Sequence, residues 1–174
     1  MKTRTFIAIV APPELQAAVA DWQRRQTFKV RWLKQEDLHI TLVPPFYADE
    51  KGLAEVKEKC ASVSGQPFPV RFDRISFGPN NREPRLIWAS GETPAELTGL
   101  ERRLAEQFGL APDRRKLLLH LTIARFKPED FQSLPVKELN EAVAWSMTVD
   151  KFSLISSKLT PAGAVYTGLE DFKL

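Results

Sequence analysis

The sequence predicts an α+β protein in which two similar lobes meet along a cleft. Short apolar strands alternate with amphipathic helices along the chain, without a low-complexity linker. The chain has two histidines, His39 and His120, and each is followed two residues later by a threonine, Thr41 and Thr122. Positions 39 and 120 are 81 residues apart, close to half of the 174-residue chain, and each lies in a strand that follows a strand–helix unit. Two related lobes would explain this spacing.

Composition sets the class of protein. An apolar share of 43% with 27% charged residues is typical of a globular chain. The length suits one domain, residues 1–174, made of two intertwined lobes around a shared core. A net charge of +3 permits an anionic ligand but does not require nucleic acid. No apolar stretch approaches the length of a membrane span, so no membrane association is expected.

A single cysteine, Cys60, excludes an internal disulfide and a cysteine-based metal cluster. It lies in the apolar phase of a helical pattern, which predicts a buried packing role. Such cysteine usage fits a reducing compartment, and we expect a cytoplasmic protein.

The first half should contain two helices and three strands. Proline at the start of the first helix, and the helical spacing of Leu15, Val19 and Trp22, favour that helix. The pair Pro44–Pro45 should end the first motif strand. The predicted elements are strand 5–10, helix 13–26, strand 30–33, motif strand 39–43 and helix 50–63.

The second half is organised around the clearest helix. Thr93 is predicted as its N-cap, followed by Pro94 in the first turn and Glu96, and Gly109 as its C-cap. The predicted elements are strand 68–77, loop 78–81, strand 85–90, helix 93–108, motif strand 116–125, helix 136–144 and strands 147–159 and 164–172.

The two motif strands carry the candidate chemistry. Residues two apart on a strand share a face, so His39 lies beside Thr41 and His120 beside Thr122, with aliphatic residues on the opposite face. One His-x-Thr alone is ordinarily structural, but folding does not require both histidines to occupy the same pattern. Two imidazoles with pKa values near ~6.5 can act as an acid–base pair, and threonine hydroxyls can bind phosphate oxygens.

Other chemistries lack their residues. No third strong ligand accompanies the histidines, so a zinc site fits poorly, and we expect no metal and no cofactor. The nucleophile pattern Gly-x-Ser-x-Gly and the phosphate-binding pattern Gly-x-x-x-x-Gly-Lys-Ser/Thr are both absent.

The segments His39-Ile40-Thr41-Leu42 and His120-Leu121-Thr122-Ile123 resemble the two motifs of the 2H phosphoesterases. The nearest branch is similar to the RNA 2′,3′-cyclic phosphodiesterases, also called 2′-5′ RNA ligases (LigT-like). The doubled motif is highly specific, and the resemblance extends over most of the chain. Flanking segments that share it are Phe6-Ile7-Ala8-Ile9, Val30-Arg31-Trp32-Leu33, Ala124-Arg125, and Phe152-Ser153-Leu154 with Tyr166.

The resemblance implies a bilobal, pseudo-twofold-symmetric fold of two antiparallel sheets with outer helices and a central active-site cleft. It implies metal-independent hydrolysis of a 2′,3′-cyclic phosphate on RNA ends or nucleotides to a 2′-phosphate, by a monomeric protein. His39 would protonate the leaving 3′ oxygen and His120 would activate water, although the pseudo-symmetry makes these roles exchangeable. Thr41 and Thr122 would bind the phosphate.

Three further positions carry weaker expectations. In relatives, the arginine at the position of Arg125 holds the phosphate or its nucleotide. Strict alternation puts Arg125 on the opposite face of the strand from His120, so it reaches the site only if the strand ends or bulges.

Relatives usually continue the first motif with Phe-Leu-Gly, where this chain has Val43-Pro44-Pro45-Phe46-Tyr47. Phe46 is therefore a candidate for base stacking, with core packing as the alternative. Relatives often have proline where this chain has Leu119.

The remaining basic and aromatic residues are open to a simpler interpretation. Arg82, Arg85 and the run 114–116 could guide an RNA end, but solvated surface explains them as well. Trp32 and Trp88 are expected in the core.

Two alternatives to the hydrolase remain open. One is joining of tRNA halves through a 2′-5′ bond on the same fold. The other is a non-catalytic protein that binds RNA ends.

Overall fold

The computed structural model describes residues 1–80, 82–110, 116–161 and 163–174, which form nine strands and three α-helices. The strands are β1 Thr3–Val10, β2 Arg31–Trp32, β3 His39–Ala48, β4 Phe68–Gly78, β5 Leu86–Ser90, β6 His120–Arg125, β7 Asn140–Val149, β8 Lys151–Thr160 and β9 Gly163–Lys173. The helices are α1 Pro13–Arg24, α2 Glu50–Ala61 and α3 Ala95–Gln107.

The strands pair into two antiparallel sheets, which confirms the predicted fold class. Sheet A has the order β3-β1-β8-β9, and sheet B has the order β2-β6-β5-β4-β7. One hydrophobic core draws on both sheets and on all three helices, including the fully buried Trp22, Cys60 and Leu100. The division of the chain into one domain of two lobes stays a prediction.

The predicted helix 136–144 is wrong, because β7 occupies much of this segment and pairs with β4. Val143, Trp145, Met147 and Val149 recur every second residue, which is the period of a strand. The predicted strand 147–159 is divided at Asp150, where the chain passes from β7 of sheet B to β8 of sheet A.

The prediction that Pro44–Pro45 ends the first motif strand is also wrong. β3 continues to Ala48 because it is an edge strand of sheet A, where a missing backbone donor is tolerated. The pairing of β3 with β1 shifts register around these prolines.

The end of α3 and the length of the second motif strand each differ from the prediction by a few residues. The C-cap of α3 is Phe108, one residue before the predicted Gly109, and Gly109 follows it with a φ of +61°, the left-handed conformation that ends many helices. The second motif strand is shorter than predicted and begins at His120. Position 81 of the predicted loop and residues 111–115, with Arg114 and Arg115, lie outside the described residues. Within the described part of the chain, no helix is long and apolar enough to cross a membrane.

Candidate active site

The two motif strands bring the histidines and threonines to one cleft between the sheets, where β3 of sheet A packs near β6 of sheet B. The predicted alternation is present in both strands. His39 and His120 are half-buried, whereas the aliphatic residues between and around them are buried. These are Leu38, Ile40, Leu42, Leu119, Leu121 and Ile123. The buried face anchors each strand in the core and leaves its imidazole and hydroxyl toward the cleft.

Both imidazoles are held by the same local bond. His39 Nδ1 lies 2.6 Å from the carbonyl oxygen of Asp37, and His120 Nδ1 lies 2.8 Å from the carbonyl oxygen of Leu118. A carbonyl oxygen can only accept, so Nδ1 carries the proton in each ring. Nε2 is then the nitrogen available to a substrate, as a base when the ring is neutral and as an acid when it is charged.

Aromatic side chains support each ring. Phe6 and Tyr166 lie 5.0 and 5.3 Å from the ring of His39, and Tyr166 meets it edge to face. Trp88 lies 4.9 Å from the ring of His120. The sequence indicates Tyr166 only as part of a closing strand. Its role beside His39 was missed because it depends on the pairing of β9 with β8.

The pKa of His39 is lowered from its ordinary value of 6.5. Burial is the main cause, because it penalises the charged ring, and the positive charges of Arg125 and His120 act in the same direction. The hydrogen bond to Asp37 opposes them. The positive charges of Arg125 and His120 thus act on the ring of His39 across the cleft.

A β-bulge follows each motif threonine. Trp88 pairs with Thr122 and Ile87 with Ala124, so Ile123 is the extra residue in β6. Leu42 is the extra residue at the corresponding place in β3, because Ala8 pairs with Thr41 and Ile7 with Val43. Two consecutive residues therefore face the core after each threonine, and the alternation then changes phase.

The bulge at Ile123 turns Arg125 to the same face as His120 and Thr122. Ile123 and Ala124 are both fully buried, whereas Arg125 is exposed. Of the two arrangements that the sequence left open, the structure has the bulged one. The matching position in β3 is Pro44, so the two motif strands differ in charge at this position.

Gln23 of α1 stabilises the bulge. Its Nε2 donates to the carbonyl oxygens of Leu33 at 3.1 Å and Ile123 at 3.2 Å. The backbone N–H of Leu33 donates to the same Ile123 oxygen. The contact between Gln23 and Ile123 spans 100 positions of sequence and could not be found from local patterns.

The predicted N-cap at Thr93 is wrong, since α3 has Pro94 at its N-cap. The hydroxyl of Thr93 instead accepts the backbone N–H of Leu119 at 2.8 Å, directly before His120. A proline at position 119 could not donate this bond. In this chain, the N–H of Leu119 therefore links the segment before α3 to the start of the second motif strand.

Trp88 is not a core residue, contrary to prediction. Its indole lies half-exposed on the cleft face, packs over Gly78 and donates from Nε1 to Ser76 Oγ at 3.1 Å. Trp32, by contrast, packs against the core beside Trp22, as predicted.

Phe46 packs against Phe108 with ring centroids 5.9 Å apart and contributes to the core. These contacts favour the packing alternative over base stacking. Within the described residues, no group of three or more His, Cys, Asp or Glu could hold a metal ion.

Comparison with known proteins gives one consistent family. Residues 11–160 match the family model of the 2′-5′ RNA ligase superfamily. An RNA 2′,3′-cyclic phosphodiesterase of Methanothermobacter thermautotrophicus is 31% identical, with 100% of each chain covered. Its counterpart in Archaeoglobus fulgidus is also 31% identical, over 83% of this chain and 84% of the relative. Escherichia coli LigT in complex with 3′-AMP has the same fold, with a TM-score of 0.81 at 22% identity over 100% and 99% of the two chains.

A pseudo-symmetric cleft between two antiparallel sheets, with one His-x-Thr strand on each side, defines a LigT-like phosphoesterase fold. This chain belongs to the 2′-5′ RNA ligase superfamily.

Proposed function

We propose that this chain hydrolyses 2′,3′-cyclic phosphodiesters on RNA ends or nucleotides to 2′-phosphates, without a metal ion. The observation that carries the proposal is the matched pair of imidazoles, each with Nδ1 bonded to a backbone carbonyl and Nε2 left for a substrate. The names of the relatives, RNA 2′,3′-cyclic phosphodiesterase, support the same reaction.

In the proposed mechanism, neutral His120 takes a proton from water as the water oxygen attacks phosphorus. The bond from phosphorus to the 3′ oxygen breaks, and charged His39 gives its Nε2 proton to that oxygen. The product keeps its phosphate on the 2′ oxygen, and proton exchange with solvent restores both rings.

The low pKa of His39 bears on this assignment. Without a ligand, burial and the positive charge of Arg125 favour the neutral ring. A phosphate anion in the cleft opposes that charge and raises the pKa of His39, so substrate binding would itself charge the acid. The hydroxyls of Thr41 and Thr122 would donate to the non-bridging oxygens, and Arg125 would hold the phosphate or its flanking nucleotide.

The decisive measurement is product analysis on adenosine 2′,3′-cyclic phosphate with EDTA present. We expect adenosine 2′-phosphate, and a loss of turnover of at least about 100-fold in His39→Ala and in His120→Ala. Binding of adenosine 2′-phosphate should remain measurable in both variants, which separates lost chemistry from lost folding. Turnover equal to that of the parent in either variant would contradict the mechanism.

The threonines can be tested against a matched control. Thr41→Val and Thr122→Val remove a hydroxyl from the cleft, whereas Thr148→Val removes one from the exposed face of β7. We expect a loss of about 10-fold or more in kcat/KM for the first two, in line with a lost hydrogen bond to a charged group, and none for the third. Adding an oligonucleotide with a 5′-hydroxyl tests ligation, because a joined product would favour the ligase alternative over hydrolysis.

A further inference from the structure

Two arginines face each other beside the catalytic groups. Arg31 of β2 and Arg125 of β6 are direct cross-strand partners, and both are exposed. Like charges placed directly opposite each other destabilise a sheet. The pKa of Arg125 is lowered by partial desolvation of its guanidinium and by the nearby charges of Arg31 and Arg85, while Tyr166 opposes the shift. An anion between the guanidinium groups would contact both positive charges.

A small cavity of about 110 Å³ lies between these arginines and sheet A. Arg31, Lys34 and Arg125 line it together with Tyr166, and Asp37 contributes one carboxylate. Three cations thus oppose one anion in a chain whose total net charge is only +3. The cavity is well below the ~300–1,000 Å³ of pockets for drug-sized ligands, so it suits a group as small as a phosphate.

The backbone of sheet A makes room for this arrangement. Gly163 begins β9 with a φ of +127°, a conformation that other residues rarely adopt. The guanidinium of Arg31 lies where a Cβ at position 163 would be. Arg31 therefore reaches from sheet B to sheet A and closes one end of the cleft.

We propose that Arg31 and Arg125 bind the phosphodiester on the 5′ side of the terminal nucleotide, so that the protein favours RNA ends over free nucleoside cyclic phosphates. This inference rests on the proposed function. Arg125 lies one same-face row beyond Thr122, about 7 Å along the strand. Successive phosphates of an extended RNA strand are spaced comparably, so the cyclic phosphate can lie at the threonines while the preceding phosphate reaches the arginines.

The test compares two substrates that differ in one group. One is adenosine 2′,3′-cyclic phosphate, and the other carries a 5′-phosphate methyl ester, which supplies the diester charge without a second base. For the parent protein we expect kcat/KM to be at least about 10-fold higher on the second substrate, because its added phosphodiester gains a hydrogen bond between charged groups. The preference should shrink as salt concentration rises.

Variants assign the preference to residues. Arg31→Gln should reduce the ratio of the two kcat/KM values about 5-fold, Arg31→Lys should retain most of it, and Arg85→Gln should reduce it less. Arg74→Gln is the matched control, because Arg74 lies on the same face of sheet B, opposite Ser90 and away from Arg31. Its ratio should equal that of the parent.

Two outcomes would overturn this inference but leave the proposed function intact. One is a ratio of the two kcat/KM values near one in the parent protein, and the other is a decrease of this ratio in Arg74→Gln as large as in Arg31→Gln. A parent protein that hydrolyses neither substrate would overturn the proposed function, and this inference with it.

Discussion

Gly78 determines where the indole of Trp88 lies, and its replacement by alanine tests how the ring of His120 is held. A Cβ at position 78 would lie 2.5 and 2.7 Å from atoms of the Trp88 indole. The indole of Trp88 is a rigid ring that contacts Gly78, Ser76 and His120, so the whole indole must move to make room for the added methyl group.

The cost has two parts. Forcing a methyl group into a packed site costs about 1–3 kcal/mol, and loss of the bond from Trp88 Nε1 to Ser76 costs about 0.5–1.5 kcal/mol. We therefore expect the free energy of unfolding of Gly78→Ala to fall by about 2–4 kcal/mol. If His120 acts as proposed, kcat/KM should also fall about 10-fold or more, because small displacements of a ring that transfers protons are costly.

Urea denaturation gives the stability, and hydrolysis of the cyclic nucleotide gives the kinetics. Ser76→Ala removes only the hydrogen bond and should cost no more than about 1.5 kcal/mol. Gly168→Ala is the matched glycine control, since a Cβ there would meet no atom within 4 Å. Parent-like stability and a parent-like Trp88 indole N–H resonance in Gly78→Ala would show that Gly78 does not determine the position of the ring.

Four further predictions follow from the site and the core. Arg125→Gln removes a positive charge that lowers the pKa of His39, so this pKa should rise in an NMR titration; a fall would contradict the electrostatic argument. The folded protein holds the His39 proton less tightly than an unfolded chain does, so stability should decrease as pH falls through 6.5 and below, and His39→Gln should flatten this slope. Gln23→Met should lower the free energy of unfolding by about 1–3 kcal/mol and raise KM, whereas Gln132→Met, at an exposed position, should do neither. Burial raises the pKa of Cys60 to about 12, so a thiol reagent at pH 8 should modify it only after denaturation; rapid labelling of folded protein would disprove its burial.

The sequence was sufficient for features that depend on local periodicity. The alternation around His39 and His120 was correctly predicted because the same residues that are apolar in sequence are buried in the core. The doubled motif likewise predicted that two strands would meet at one cleft.

Features that depend on strand pairing could not be predicted. The segment around Ala142 and Ala144 has helical composition, but its pairing with β4 overrides that local preference. The bulge at Ile123 arises from register with β5 and from Gln23, which is 100 residues away. Sequence alternation alone therefore left the direction of Arg125 undecided.

The difference between Arg125 and Pro44 gives an otherwise twofold cleft a polarity. Two equivalent imidazoles could in principle exchange duties from one turnover to the next. Because Arg125 adds its positive charge beside the second motif, a bound phosphate would meet different surroundings at the two rings. Unequal roles for the two histidines thus need no difference in the motifs themselves.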